Sequence, residues 1–368
     1  MIAAIARHQP ASIATNDTRT AETERLAQQA DAAHAAGAFA AYLDEQSQNT
    51  RRAIAADLGA FVAFLAAAGH TDPPTAAELE TTPAAWSGVS HGLIAAFKQW
   101  TLTEGYAIAT ANRRLATVKT FVRLAAEAGA IDEIETLRIG RVKTISRKAA
   151  RNIDAQRAEQ EIAARKGAKK PTFNTLTPSQ IRRLKEIAAE RDAAGNYTPR
   201  GRRDALLIAL ALDHGLRIGE IVILTRKAFD LERGEFQFFR PKVEKTQRHT
   251  LSPDTLRAFV AYVSAGHAQG DDQPLLTHSR KNRTLTARPL DERSASERIA
   301  TLGRKIGIDN LSPHDLRHTW ATRHAERASK GECSLLQVQE AGGWKSLQMV
   351  RRYVAEQEIA NEGLAISL

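Results

Sequence analysis

Ser312-Pro313-His314-Asp315-Leu316-Arg317-His318-Thr319 is the stretch on which the reading of this chain turns. Ser312 followed by Pro313 is a helix start. The hydroxyl caps backbone N–H groups that have no intrahelical partner, and the proline, with its fixed φ and no N–H of its own, suits the first turn. His314 and Arg317 fall three residues apart and share one face of that turn. Free N–H groups and the positive end of the helix dipole gather there and favour an anion. A histidine and an arginine at such an end make a phosphate clamp. In isolation, His-x-x-Arg describes many ordinary surface helices, so its weight comes from what lies on either side.

Downstream, Gly342-Gly343-Trp344 is followed nine residues after the tryptophan by Tyr353. Upstream stands Asp213-His214-Gly215-Leu216-Arg217-Ile218-Gly219-Glu220. Arg202 to His214 reads as an apolar helix carrying Leu206, Leu207, Ile208, Leu210 and Leu212, and Gly215 suits its left-handed stop. Arg217 follows that turn. Its planar fork binds two phosphate oxygens at once and keeps its charge at any working pH. Glu220, three residues on, is placed to pair with a basic neighbour and orient it. A tyrosine hydroxyl, with a reference pKa of about 10, needs a base or an already neutralised transition state before it attacks. Two arginines, a histidine, a tryptophan and a late tyrosine form a set suited to attacking a phosphodiester.

The bulk composition agrees. The 368 residues suffice for two domains, and 43% of them are hydrophobic, an ordinary globular share. The net charge is +10 and the isoelectric point about 9.8, which points to a polyanionic partner, nucleic acid first. From Arg138 to Lys170 there are eleven Lys/Arg against three Asp/Glu, a net of +8, so most of the excess lies in one segment. No apolar run approaches the roughly 18 residues of a membrane span, and Met1–Pro10 does not read as a leader. The single cysteine, Cys333, excludes an internal disulfide and a cysteine-based metal cage. A cytoplasmic, DNA-associated bacterial protein with no membrane partner is expected.

Residues 1–35 lack an apolar face and read as a flexible arm. From 36 to 135 the pattern is helical: Ile54, Leu58, Phe61, Phe64 and Leu65 recur at three- and four-residue spacing. A later helix carries Leu115, Val118, Phe121 and Leu124 on one face and Arg113, Arg114 and Lys119 on the other, a solvated face or one lying along DNA. The basic segment 136–174 reads as a linker, with Arg147, Lys148 and Arg151 as phosphate contacts along it. A second domain spans 175–356, opening at Thr177-Pro178. Between about 229 and 252 the period shifts to two, with Phe236 and Phe238 before Arg240-Pro241, and a short sheet or hairpin is predicted. Residues 357–368 form a tail with Ile359, Leu364, Ile366 and Leu368, docking on a neighbouring copy or folding back on its own domain.

Taken together, these motifs resemble the tyrosine recombinase, or phage integrase, family, from about residue 36 onward and in the family's order and spacing. The resemblance implies a mainly α fold with a small β-sheet. It implies a two-domain C-shaped DNA clamp, with an N-terminal helical core-binding (SAM-like) domain and a C-terminal integrase-type catalytic domain. It assigns Arg217, His314, Arg317, Trp344 and Tyr353 to the catalytic set, with Tyr353 as nucleophile. The family's catalytic lysine lies on a β-hairpin after the first arginine, and Lys245 is the match, with Lys242 the alternative. Val350 departs from the family pattern, standing where a threonine often precedes the nucleophile. The activity implied is site-specific recombination through a 3′-phosphotyrosyl link, without metal or other cofactor. Its partners are a double-stranded recombination site, three further copies in a tetramer, and accessory or directionality factors. A type IB-like topoisomerase and a catalytically silent DNA-binding factor are the competing readings.

Overall fold

The computed structural model describes residues 16–162 and 173–355, and the chain divides into two compact units, 1–169 and 170–368. The first unit is helical throughout its described residues. Its elements are α1 (Asn16–Asp44), α2 (Gln48–Ala67), α3 (Ala76–Thr81), α4 (His91–Thr103), α5 (Ile108–Glu127), α6 (Glu133–Gly140) and α7 (Arg147–Glu159). The stripe predicted on α2 is buried, and Phe61 sits among Trp86 and Phe97, with ring centroids 5.7 and 5.1 Å away. Trp86 has a polar edge to satisfy, and its indole N–H donates to the Leu79 carbonyl at 2.8 Å.

Two expected boundaries are corrected here. Residues 16–35 are helical and run into 36–44 as one helix, whose later part carries Ala38 and Phe39 into the core, Phe39 lying 5.5 Å from the Phe121 ring. The segment 136–162 is not a linker. Ile139 and Val142 belong to the main core of this unit, and Ile145 is buried in a smaller cluster with Leu102 and Ala111, flanked by Ala149 and Ile153. Asn112 clips the segment down by accepting from the Ile145 N–H (2.8 Å) and donating to its carbonyl (2.9 Å). The net charge of the segment masked an apolar row, Ile145, Ala149 and Ile153, at four-residue spacing. The rest of the expected arm (1–15), the segment 163–172 and the tail 357–368 lie outside the described residues.

The second unit begins with α8 (Pro178–Ala188), α9 (Pro199–Asp213) and α10 (Ile218–Val222). A three-stranded antiparallel sheet follows: β1 (Phe229–Asp230), β2 (Glu235–Arg240) and β3 (Lys245–Thr250), in that order, with Arg240 opposite Lys245 at the hairpin end. Then come α11 (Pro253–Val263), a second hairpin of β4 (Thr277–Ser279) and β5 (Leu285–Pro289), and α12 (Glu292–Arg304), α13 (Pro313–Ser329), α14 (Leu335–Gly342) and α15 (Leu347–Ala355). The β4–β5 hairpin was not expected. Its strands are short and half-exposed, so they carry no clear two-residue alternation. The core gathers α9 with Phe229, Phe236, Phe259, Ile299 and Leu316. A separate apolar cluster of Trp320, Val338, Trp344 and Val350 joins α13, α14 and α15 and includes the half-buried Tyr353. Among the described residues no helix is long and apolar enough to cross a membrane.

Candidate active site

Helix α13 starts as the sequence predicts. Ser312 accepts from the Asp315 N–H at 3.3 Å, and Asp315 in return accepts from the Ser312 N–H at 2.7 Å, a reciprocal cap. The other oxygen of Asp315, fully buried, accepts from the Asn174 N–H at 2.9 Å, so the cap also pins the segment preceding α8. One turn in, Arg317 points inward and is only 3% exposed. Its guanidinium donates to the Gly215 carbonyl at 2.5 Å and to the Gly342 carbonyl, and lies 4.7 Å from the centre of the Trp344 ring. These partners orient the planar fork without cancelling its charge. Burial, with Arg217 and Arg240 nearby, pushes its pKa down to about 9.

Gly215 turns the chain at φ +61°, and a Cβ there would lie 2.5 Å from the Trp320 ring. Trp320 in turn donates to the Asp213 carbonyl at 3.1 Å. The turn that presents Arg217 is thus locked against α13, and only glycine fits it. Arg217 precedes α10, and Glu220 holds it twice, accepting from its N–H at 2.9 Å and from its guanidinium at 2.7 Å. Glu220 is buried and also faces Arg240 at 3.3 Å.

Tyr353 on α15 lies against two rings, Trp344 with centroids 5.5 Å apart and His318 at 4.9 Å, edge-on. Its phenol is within electrostatic reach of Arg317. Val350, one turn earlier, is fully buried in the same cluster, which sets the face α15 turns inward. His314 keeps an exposed edge, with the Phe173 ring 5.0 Å away. Partial burial, Arg317 and His318 hold its pKa below the usual histidine value, so it is neutral at pH 7 and able to accept a proton.

Lys245 opens β3 and reaches Glu340 of α14 at 3.1 Å, with over half of its side chain exposed. Lys242 lies in the hairpin turn. The register thus places Lys245 at the hairpin end beside Arg240, on the strand that faces α14.

Arg217, Arg240 and Arg317 share one carboxylate, Glu220. Three positive charges against one negative charge leave an excess of two in a largely dry site. Such a site favours an anion carrying charge on its equatorial oxygens.

Sequence reasoning missed three contributors. Arg240 is fully buried and is held by Glu220, Gln247 and the carbonyls of Ala341 and Gly342. His318 stacks on Phe173, at 4.7 Å, and meets Tyr353 edge-on. Phe173 itself covers both histidines. The alternation of β2 gave a signal for Arg240: Phe236 and Phe238 face inward, and residue 240 follows in the same row.

The expected DNA contacts on α5 are corrected in part. Arg113 donates to the buried Asp57 at 2.6 Å while keeping about half its side chain exposed. Arg114 is largely covered, 3.6 Å from Asp57, with its guanidinium over the Tyr106 ring. Lys119 caps the end of α6 through the carbonyls of Gly140 and Val142 at 2.8 and 3.1 Å. A buried carboxylate and orphan carbonyls are closer partners than solvent, so this basic face is turned largely to structural use. Arg147, Lys148 and Arg151 on α7 are exposed.

Known proteins resemble this chain in sequence and in fold. The model of the phage integrase family matches residues 174–359. The tyrosine recombinase XerC of Herpetosiphon aurantiacus is 24% identical over 323 residues, covering 86% of this chain and 88% of that protein. A putative integrase/recombinase, y4rE, of Sinorhizobium fredii is 33% identical over 174 residues, 43% of this chain and 54% of that one. In fold, the chain is similar to the Tn1549 transposon integrase in complex with transposon right end DNA, with a TM-score of 0.60 at 14% identity, covering 90% of this chain and 97% of that one. It is also similar to a lambda integrase tetramer bound to a Holliday junction, with a TM-score of 0.53 at 15% identity, covering 91% and 83%. The chain belongs to the phage integrase family and is a tyrosine-type site-specific recombinase.

Proposed function

We propose that the protein exchanges DNA strands at a specific duplex site through a 3′-phosphotyrosyl intermediate, in the integration, excision or resolution of a mobile element or replicon. The observation that carries this reading is the convergence of Arg217, Arg317, Trp344 and Tyr353 on one excess-positive centre. In the cleavage step the Tyr353 oxygen bonds to the scissile phosphorus and the bond to the 5′-oxygen breaks. The phenol proton passes to the neutral His314, and Lys245 protonates the departing 5′-hydroxyl. Arg217 and Arg317 hold the non-bridging oxygens while negative charge accumulates on them. Because the phosphotyrosyl ester conserves the bond energy, a 5′-hydroxyl from another strand reverses the step, and the chemistry asks for no nucleotide hydrolysis.

The DNA-facing charge outside this centre is assigned to Arg147, Lys148 and Arg151, with Arg113 as a further contact. Four copies acting on two sites is the assembly this exchange needs. The test is a plasmid carrying two copies of a site taken from the gene's own genomic surroundings. Exchange products are expected. Relaxation of a plasmid lacking any site, with no exchange on the paired one, would instead make the protein a topoisomerase. Specific binding with neither outcome would make it a silent binding factor.

A further inference from the structure

Arg240 is the arginine of this centre that is sealed from solvent, 0% exposed, on the inner face of β2. We propose that Arg240 is a positioning residue for strand cleavage: it fastens Glu220 and the end of α14 to the β2–β3 hairpin, holding Arg217, Arg317 and the Tyr353 helix in register without touching the phosphate. The inference rests on the reading of Arg217, Arg317 and Tyr353 as the active site.

Its donors go to β3, to α10 and to the end of α14. Nε donates to Gln247 at 2.5 Å. Nη1 donates to the Gly342 carbonyl at 3.0 Å and faces both Glu220 oxygens at 3.3 and 3.4 Å. Nη2 donates to the Ala341 carbonyl at 2.6 Å. Gln247 continues the clamp, donating to the Glu340 carbonyl at 2.7 Å. The last carbonyls of α14, which have no partner within their own helix, are thus capped by side chains of the hairpin. The Gly342 carbonyl is shared with Arg317, and Glu220 is shared with Arg217. Both proposed phosphate-binding arginines therefore meet Arg240 through a common acceptor.

The same contact fixes the turn into Trp344. Gly343 lies at φ +62°, and a Cβ there would fall 2.7 Å from Arg240 Cδ, so the arginine stem packs directly on this turn. Lys245 is the cross-strand partner of Arg240. A guanidinium with no role beyond filling space would be a costly choice here, since an apolar side chain of the same volume avoids its desolvation. Its planar fork is what reaches three elements at once, and a lysine ammonium does not reproduce that.

The experiment uses the full chain and a nicked duplex site that traps the covalent product. DNA affinity, single-turnover rate and final adduct yield are measured for wild type, Arg240→Met and Arg240→Lys. The expected result is unchanged affinity and yield in both variants, with a rate lowered roughly 10²-fold, the scale of a misplaced catalytic group. On a site carrying a neutral methylphosphonate at the scissile position, where less charge needs holding, the penalty should shrink to roughly tenfold or less. A yield that falls while the rate of the reacting fraction stays at the wild-type value would mean a purely structural role and overturn the proposal, as would a wild-type rate. If Arg240→Met does not fold, Gln247→Ala decides, with a smaller slowing at full yield expected and a wild-type rate overturning the proposal. No adduct from the wild-type protein would sink the active-site reading itself, a separate outcome.

Discussion

Arg317 is the centre of the proposed phosphate clamp. Its charge is carried inside, oriented by two carbonyls, and opposed by Arg217 and Arg240, which together with burial lower its pKa to about 9. It remains protonated at neutral pH, and in the proposed reaction the scissile phosphate would supply the negative charge it lacks. Arg317→Ala and Arg217→Ala should each slow cleavage by roughly 10²–10³, the cost of losing a charge-stabilising donor. A tenfold effect or less in single-turnover cleavage would contradict the clamp. Lys245→Ala should slow cleavage of an ordinary 5′-oxygen site far more than Lys242→Ala, and the reverse order would move the general acid to the turn. Arg217, His314, Arg317, Trp344 and Tyr353 stood out in the sequence because their order and spacing resemble the family's motifs, and the structure brings Arg217, Arg317, Trp344 and Tyr353 together. His318 and Phe173 did not stand out, for they act through packing partners distant in sequence, and Arg240 showed only as the next inward position of β2. His318 is defined by its stacking on Phe173 and its edge-on contact with Tyr353, and no local pattern announces such an arrangement.

At the scale of elements, caps and turns were the readable part. Ser312 before α13 and Thr177 before α8 both form reciprocal caps, and the shift to a two-residue period marks β2. The basic segment misled because counting charge ignores the inner face: Ile145 and Ile153 fold α7 onto the first unit, and Arg157 donates to the Leu102 carbonyl at 2.6 Å. The packing of α9 beside β3 also has a pH consequence. Burial, with His249, Lys185 and His324 around it, holds His214 at a pKa of about 3. Burial and Arg240, opposed by Glu220, hold His249 at about 4. Both are neutral in the folded chain, while an unfolded histidine titrates near 6.5. Between those values the unfolded state binds more protons, so stability is full above about pH 6.5 and falls as the pH drops toward 4. Each histidine contributes up to about 1.4 kcal/mol per pH unit in that window. Urea midpoints at pH 7 and pH 5 should show the loss, and His249→Gln should make it shallower. An identical slope in the variant would mean that His249 is not held neutral.

For the whole molecule, the excess of +10 is a statement about DNA affinity. Neutralising Arg147, Lys148 and Arg151 to glutamine should weaken binding to all sequences alike. It should also flatten the salt dependence by about 0.9 for each phosphate left without its cation, up to about 2.7 for three. An unchanged slope would leave those three side chains to solvent. Removing residues 358–368 should impair exchange more than binding if the apolar tail docks on another copy, and equal exchange by the shortened chain would contradict that docking. The measurement that bears most directly on the central claim is covalent trapping on a nicked site, without added metal, followed by mapping of the attached residue. The account predicts a 3′-linked adduct on Tyr353 that disappears in Tyr353→Phe while DNA binding persists. An adduct on any other residue, or an adduct surviving in Tyr353→Phe, would contradict it.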